Sequence, residues 1–177
     1  MEKAYKIKSS SKINLGLKVL NLRNDNYHNI NSVFIEVDLC DEITFTPSNS
    51  FELICSNTDI PINNQNTIFR AYQLLDKKFN FQKHYKIKLK KNIPIGGGMG
   101  GGSSNAAFTL KALDKLHDLN LNSDKLCEIG LEIGSDVPFF IDGGVKFISG
   151  RGEKIINHSC PKISSFYIVL VLSLIHI

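Results

Sequence analysis

The chain is predicted to be an α+β domain, a largely antiparallel sheet with helices packed against it. Three observations lead there. Alternating apolar and polar residues, the mark of half-buried strands, dominate the first half. Helical spacing of apolar residues appears from Thr67 and again beyond Ser103. Between those helices, a strand pattern runs directly into PIGGGMGGGSSNAA (94–107), which holds six of the chain's 13 glycines. With 177 residues, 42% hydrophobic and 21% charged, the chain has the composition of a globular protein and the length of one ordinary domain with room for part of another.

In order, AYKIK (4–8) and KINLGLKVL (12–20) alternate as strands, and NLRNDN (21–26) is a turn by composition. HNINSVFIEVDL (28–39), EITFTP (42–47) and FELICS (51–56) continue the strand pattern, and the polar stretch 56–66 is a loop. Ile68, Tyr72, Leu75 and Phe79 share one face of a helix over 67–79. HYKIKLKK (84–91) is another alternating strand, whose lysines read as a solvated face. After the glycines, Ala106, Leu110, Leu113 and Leu116 form a second helical face, and a third helix over 123–133 takes Ser123 as N-cap and stops before Gly134. VPFFI (137–141) reads as a buried strand, 145–155 as a strand or hairpin, and YIVLVLSLIHI (167–177) as a buried strand too short to span a bilayer. Internal repeats and low-complexity tracts are absent.

Lys and Arg number 21 against 17 Asp and Glu, for a net charge of +4. That suits an anionic small ligand and falls short of a nucleic-acid footprint. The N-terminus lacks the apolar core of a signal peptide. Cys40, Cys55, Cys127 and Cys160 are too scattered for a zinc site or a disulfide framework, so no metal-ligating set is singled out, and reduced, mostly buried thiols of a cytoplasmic protein are expected.

The glycine stretch admits several readings. A linker would not join a strand to a helix that ought to pack together. Gly96, Gly98 and Gly101 satisfy G-x-G-x-x-G, but so many glycines make the match nearly unavoidable, and the Lys-rich strand before them is not the doubly buried first strand of a dinucleotide fold. Nor does a lysine precede Ser103 or Ser104, as a Walker A loop requires. What remains is physical. Consecutive backbone N–H groups free of Cβ obstruction form a concavity for anions, and the following helix adds unpaired N–H groups and a positive dipole end. Ser103, Ser104 and Asn105 would add side-chain donors, and a hydroxyl there could bind Mg²⁺. This predicts a polyphosphate site.

PIGGGMGGGSSNAA resembles the central phosphate-binding motif of the GHMP kinase superfamily, and SSNAA after paired glycine triplets is closest to the 4-diphosphocytidyl-2-C-methyl-D-erythritol kinases within it. Two further stretches resemble the same kinases in the same order. SKINLGLKVLNLRNDNYHNINSVF (11–34) matches their Lys-x-Asn-Leu strand and Asp-Gly-Tyr-His turn, and GSDVPFFIDGGVKFISGRGE (134–153) matches their Gly-x-Asp-Val-Pro-Phe-Phe and Gly-Arg-Gly-Glu segments. The resemblance implies an ATP- and Mg²⁺-dependent kinase that phosphorylates the 2-hydroxyl of a small cytidyl-linked sugar alcohol in isoprenoid precursor synthesis, with no nucleic-acid or membrane partner; the alternatives are another small-molecule kinase of the same superfamily, of homoserine or mevalonate type, and a non-catalytic nucleotide-binding fragment.

It also implies roles. Pro94, Ile95, Gly96, Gly97, Gly98, Met99, Gly100, Gly101, Gly102, Ser103, Ser104 and Asn105 would hold ATP. Asp136, on its own residues an ordinary turn aspartate, would be the catalytic base. Lys12, otherwise a snorkelling surface lysine, would stand beside it. Tyr27 and His28 would recognise cytosine, the first by stacking and the second by hydrogen bonding. Asn14, on the same strand face as Lys12, would meet the acceptor's hydroxyls. Asn26 replaces the family's usual Gly and Met99 its usual Leu. Residues 1–160 are then expected to form the N-terminal ATP-binding domain and 161–177 to begin a C-terminal domain that is cut short, with LSLIHI departing from the family, so the 177-residue chain alone is expected to bind ATP weakly and to be inactive although its parent sequence is a kinase.

Overall fold

The computed structural model describes residues 3–156 and 167–171. The elements run β1 (Tyr5–Leu22), β2 (His28–Ser48), β3 (Glu52–Cys55), α1 (Thr67–Phe79), β4 (His84–Lys90), α2 (Gly101–Leu116), α3 (Ser123–Leu131), α4 (Val137–Asp142), β5 (Val145–Ser149) and β6 (Lys154–Ile156). The four N-terminal strand patterns merge into two long strands paired as one antiparallel hairpin. A register shift at Ser10/Ser11 lets β1 continue past its serine run without losing β2.

β2 is the hub of the sheet. Besides β1, it pairs with β4 over 42–48 and with β5 over 32–35, both antiparallel. β3 and β4 are parallel, joined through α1, so the sheet is mixed but largely antiparallel, as expected. Phe34, Ile43, Phe45, Ile87 and Leu89 from the strands pack against Ile68, Tyr72 and Leu75 of α1 and Leu110 and Leu113 of α2. The predicted helical faces are therefore the core faces, except that Phe79 at the end of α1 lies exposed.

Local chemistry sets the helix starts. Asn66 caps α1 by accepting from Ile68 N at 2.8 Å. Asn122, not the predicted Ser123, caps α3 by accepting from Lys125 N at 2.8 Å, while the Ser123 hydroxyl donates to Asp142 Oδ1 at 2.6 Å. The predicted strand VPFFI is instead helix α4. Its five residues are all buried, so apolarity on every side hid the period, and Pro138 in the first turn is the helix signal that it carries.

Glu36 of β2 fastens the far end of α4 to the sheet. Its backbone N–H donates to Gly144 O at 2.9 Å, and its carboxylate accepts from Gly144 N at 2.8 Å and from the Ser10 hydroxyl. The strand predicted over 167–177 does not form where it can be seen: residues 167–171 are exposed and without regular secondary structure. The rest of that segment, Cys160 and the boundary expected at 160/161 lie outside the described residues. Cys40, Cys55 and Cys127 are free and half-buried. No helix among the described residues is long and apolar enough to cross a membrane.

Candidate functional site

The chain between β4 and α2 is held at both ends before it forms any site. Asp41 of β2, fully buried, accepts from Asn92 N at 2.7 Å and Ile93 N at 2.8 Å, which fixes the approach to Pro94. Lys91 lies 3.0 Å from the second oxygen of that carboxylate and donates to Ile93 O. At the other end, Lys12 N donates to Met99 O at 3.0 Å, so β1 grips the loop just before α2 begins.

Between these anchors the backbone alternates. Gly96, Gly98 and Gly100 have φ of 75°, 67° and 68°, whereas Gly97 and Met99 do not enter the positive range. Alternation of this kind turns successive N–H groups toward one concavity, the nest geometry that receives anions. Gly100 is also the N-cap of α2 and has no side chain to cap with, leaving the first-turn N–H groups facing the same space. Glycine is needed there twice over: besides the positive φ, a Cβ would stand 2.9 Å from Phe140 Cζ and 3.2 Å from Lys12 Cγ.

The resulting cleft has a volume of about 430 Å³, the scale of a small-molecule site. Pro94 through Ser103 and Asn105 line it on one side, and the loop at Asp59–Pro61 with Gln65, Asn66, Thr67 and Lys91 lines the other. The N-terminus of α1 thus shares the cleft with that of α2, tied to it by Thr67 Oγ1 donating to Gly102 O at 2.6 Å. Of the predicted loop residues only Ser104 is withdrawn. It is fully buried, with its hydroxyl 2.7 Å from Ser9 Oγ, and Ser9 also donates to Asn105 Oδ1 at 2.9 Å. Ser104 and Asn105 therefore pin α2 to β1, and Ser103 is the loop hydroxyl left on the cleft wall.

Lys12 packs behind Gly100, and Asp136, against Gly152, lies near enough to feel its charge. Lys12 is 5% exposed, its stem against Gly100 and its ammonium 4.4 Å above the Phe34 ring, donating to Asn14 Oδ1 at 2.5 Å. Asn14 is thereby the immediate partner of Lys12. Asp136 is the N-cap residue of α4 and makes no capping bond, so its carboxylate is free for other work. Burial pushes the Asp136 carboxyl above the ordinary carboxylate range and the Lys12 charge opposes the shift. Burial lowers the Lys12 ammonium from its usual value, with Asp136 opposing in turn. A buried lysine and a half-buried aspartate that feel each other's charge are a candidate acid–base pair.

Tyr27 and His28 sit at the tip of the β1–β2 hairpin. Asn26 takes a left-handed φ of 63°, the conformation for which glycine is the usual choice, and Asp25 Oδ1 accepts from Tyr27 N at 3.2 Å. Tyr27 is left 57% exposed, with its ring available to a ligand.

Sequence reasoning missed several residues here. The Lys86 to Lys91 run is solvated as expected at Lys86 and Lys90, which pair with Glu52 and Glu42, but Lys91 turns inward to the cleft. Asp41 and the run Ser9–Ser11 were likewise unread, although buried polar residues inside a strand pattern are themselves a signal of partners elsewhere. Among the described residues no group of three or more His, Cys, Asp or Glu could hold a metal ion.

Comparison with known proteins agrees with this geometry. A family model described as GHMP kinases N terminal domain matches residues 66–144. A protein of Enterococcus faecalis named 4-diphosphocytidyl-2-C-methyl-D-erythritol kinase is 43% identical over 167 residues, covering 93% of this chain and 58% of its own length. One of the same name from Caldanaerobacter subterraneus subsp. tengcongensis is 44% identical over 150 residues, covering 85% and 52%. A crystal structure of 4-(cytidine 5'-diphospho)-2C-methyl-D-erythritol kinase superposes with a TM-score of 0.75 at 32% identity, covering 89% of this chain and 56% of that one. The chain spans about half the length of the curated relatives it matches. With its glycine cradle, its lysine–aspartate pair and its hub-stranded sheet, the chain carries a GHMP kinase N-terminal domain.

Proposed function

We propose that this domain serves ATP-dependent phosphorylation of the 2-hydroxyl of 4-diphosphocytidyl-2-C-methyl-D-erythritol, a cytoplasmic step toward isoprenoid precursors. The observation that carries the proposal is the alternating glycine cradle at the head of α2, backed by the coupled Lys12–Asp136 pair. Relatives named for this reaction, at 43% and 44% identity, support the choice of acceptor. We take residues 1–160 as the ATP-binding domain and 161–177 as the start of the next.

The cradle's N–H groups and the two helix ends would hold the phosphates of ATP, a charge match that needs no lysine inside the loop. Lys91, just past β4 on the cleft wall, is already paired with the Asp41 carboxylate, so the backbone carries the charge match. Mg²⁺ suits a site of this kind when held mainly by the nucleotide's own phosphates, since the described residues offer no cage; Ser103 and Thr67 supply the hydroxyls on the wall. Mg²⁺, when bound, would neutralise phosphate charge.

Phosphoryl transfer asks the protein chiefly for positioning and charge. The acceptor hydroxyl would lose its proton to Asp136 as its oxygen bonds to the γ-phosphorus and the bond to the β,γ-bridging oxygen breaks, releasing ADP. Lys12 keeps Asp136 ionised before the step and stabilises negative charge at the reacting oxygen during it. Tyr27 would stack on the cytosine, with His28 at its polar edge.

The test is an acceptor panel with ATP and Mg²⁺: the cytidyl erythritol, homoserine and mevalonate, with phosphorylated product identified by phosphorus NMR. Transfer to the cytidyl acceptor alone is expected. Preference for homoserine or mevalonate would overturn the acceptor assignment, and nucleotide binding without transfer to any of the three would leave a binding domain instead of a catalytic one.

A further inference from the structure

We propose that Arg151 is a specificity-determining residue whose guanidinium binds the diphosphate of the acceptor, between the ring that receives the base and the carboxylate that receives the proton. The proposal rests on the acceptor reading above and assigns a contact that reading leaves open. Three consecutive residues between β5 and β6 carry it. Gly150 O accepts from Ile30 N at 2.6 Å, fastening the loop to the strand just after Tyr27 and His28. Gly152 lies at the other end against the proposed base, so close that a Cβ there would stand 2.8 Å from Asp136 Oδ1. Arg151 stands between them, exposed, with Cζ 5.4 Å from the centre of the Tyr27 ring.

The loop is shaped to present this side chain. Gly150 and Gly152 take φ of 71° and 120°, and the Glu153 carboxylate accepts from Arg151 N at 2.7 Å, so the backbone is tied down while the guanidinium lies over the Tyr27 ring, near enough to feel the Asp25 charge. From Gly150 to Gly152 the chain extends at most about 7 Å. The landmark for the base and the landmark for the reacting hydroxyl are therefore fixed to one short rigid piece, with one cation between them.

In an acceptor that joins a nucleoside to an alcohol through a diphosphate, the diphosphate must occupy that interval. A guanidinium is suited to it, because its planar fork gives two parallel N–H bonds to phosphate oxygens and keeps its charge at any relevant pH. Its position over Tyr27 also lets it back the ring on which a base would stack. An acceptor without a diphosphate offers this residue nothing, which makes Arg151 a selector among small alcohols.

The experiment uses the 177-residue chain with its nucleotide cleft filled by a non-hydrolysable ATP analogue, and two probes, cytidine and cytidine 5'-diphosphate. NMR signals of Tyr27 and His28 report binding. Cytidine diphosphate should bind about tenfold more tightly than cytidine, since a charge-assisted pair of bonds is gained. Arg151→Gln should erase that preference while leaving cytidine within about twofold, and Arg151→Lys should restore part of it. Equal affinity of the unaltered chain for both probes, or an Arg151→Gln loss shared equally by cytidine, would overturn the Arg151 assignment and leave the acceptor reading standing. Failure of both probes to move Tyr27 and His28, or shifts confined to Gly96–Gly102, would sink the acceptor reading and this proposal with it.

Discussion

Replacing Gly100 by alanine tests whether the cradle's geometry is fixed by what surrounds it. An alanine at a φ of 68° costs about 1–2 kcal/mol because its Cβ crowds the following carbonyl. The same Cβ would stand 2.9 Å and 3.0 Å from two atoms of Phe140 and 3.2 Å from Lys12 Cγ. Phe140 is 1% exposed and cannot swing aside, so overpacking adds about 1–3 kcal/mol. The sum, about 2–5 kcal/mol, is a large part of the 5–15 kcal/mol that holds a typical domain. With a urea slope of about 2 kcal/mol per molar, the unfolding midpoint should fall by about 1–2.5 M. Gly102→Ala is the control. That residue lies within α2 at no positive φ, and its Cβ would meet only Thr67 at 3.8 Å, so alanine there should be neutral or stabilising by about 0.5–1 kcal/mol. Equal midpoints for the two variants would refute the reasoning.

Asp136→Asn and Lys12→Met should each lower phosphate transfer by about 10²–10⁴-fold with ATP affinity nearly unchanged; turnover within a few-fold of the unaltered enzyme would remove them from the chemistry. Lys91→Met should destabilise the fold by about 3–5 kcal/mol by stranding the buried Asp41 charge, and adding Asp41→Asn should recover part of the loss in a denaturation cycle. His117 stacks 3.6 Å from Phe81 with its Nε2 buried and unpartnered, and burial, aided by His84 and Lys83 and opposed by Asp76 and Asp118, lowers its proton affinity. Because the unfolded chain then binds the proton more readily, the stability linked to this group is intact above pH of about 6.5 and lost as the pH falls through the lowered value. The difference between the unaltered chain and His117→Gln in thermal melts should show that slope, and identical acid profiles would refute it.

The strand-to-glycine-to-helix passage was legible because each part of it is local. Alternation in HYKIKLKK, a run of achiral residues and a helical period afterwards are all read within a few positions of one another. The Tyr27 turn was legible for the same reason, Asn26 standing in for glycine at a left-handed position. α4 was not, because a short run that is apolar on all sides has no face to betray its period. Lys91 and Asp41 escaped for a different reason: the carboxylate that draws the lysine inward lies fifty residues away and meets it only after β2 and β4 have paired. Ser104 looked like a phosphate donor until β1 brought Ser9 against it. Sequence placed the loop; topology decided which of its side chains were free.

A cradle built from alternating glycines presents almost nothing but backbone, and backbone is the same for every residue. Such a surface can register charge, size and distance, but it carries no information about which base or sugar hangs from the phosphates it holds. If the cleft holds a nucleotide as proposed, selectivity among nucleotides falls to its other wall, from Asp59 to Pro61 and at Gln65. That wall can drift toward a different nucleotide without disturbing the loop, so in this architecture the grip on phosphate and the identity of the donor are separately evolvable traits.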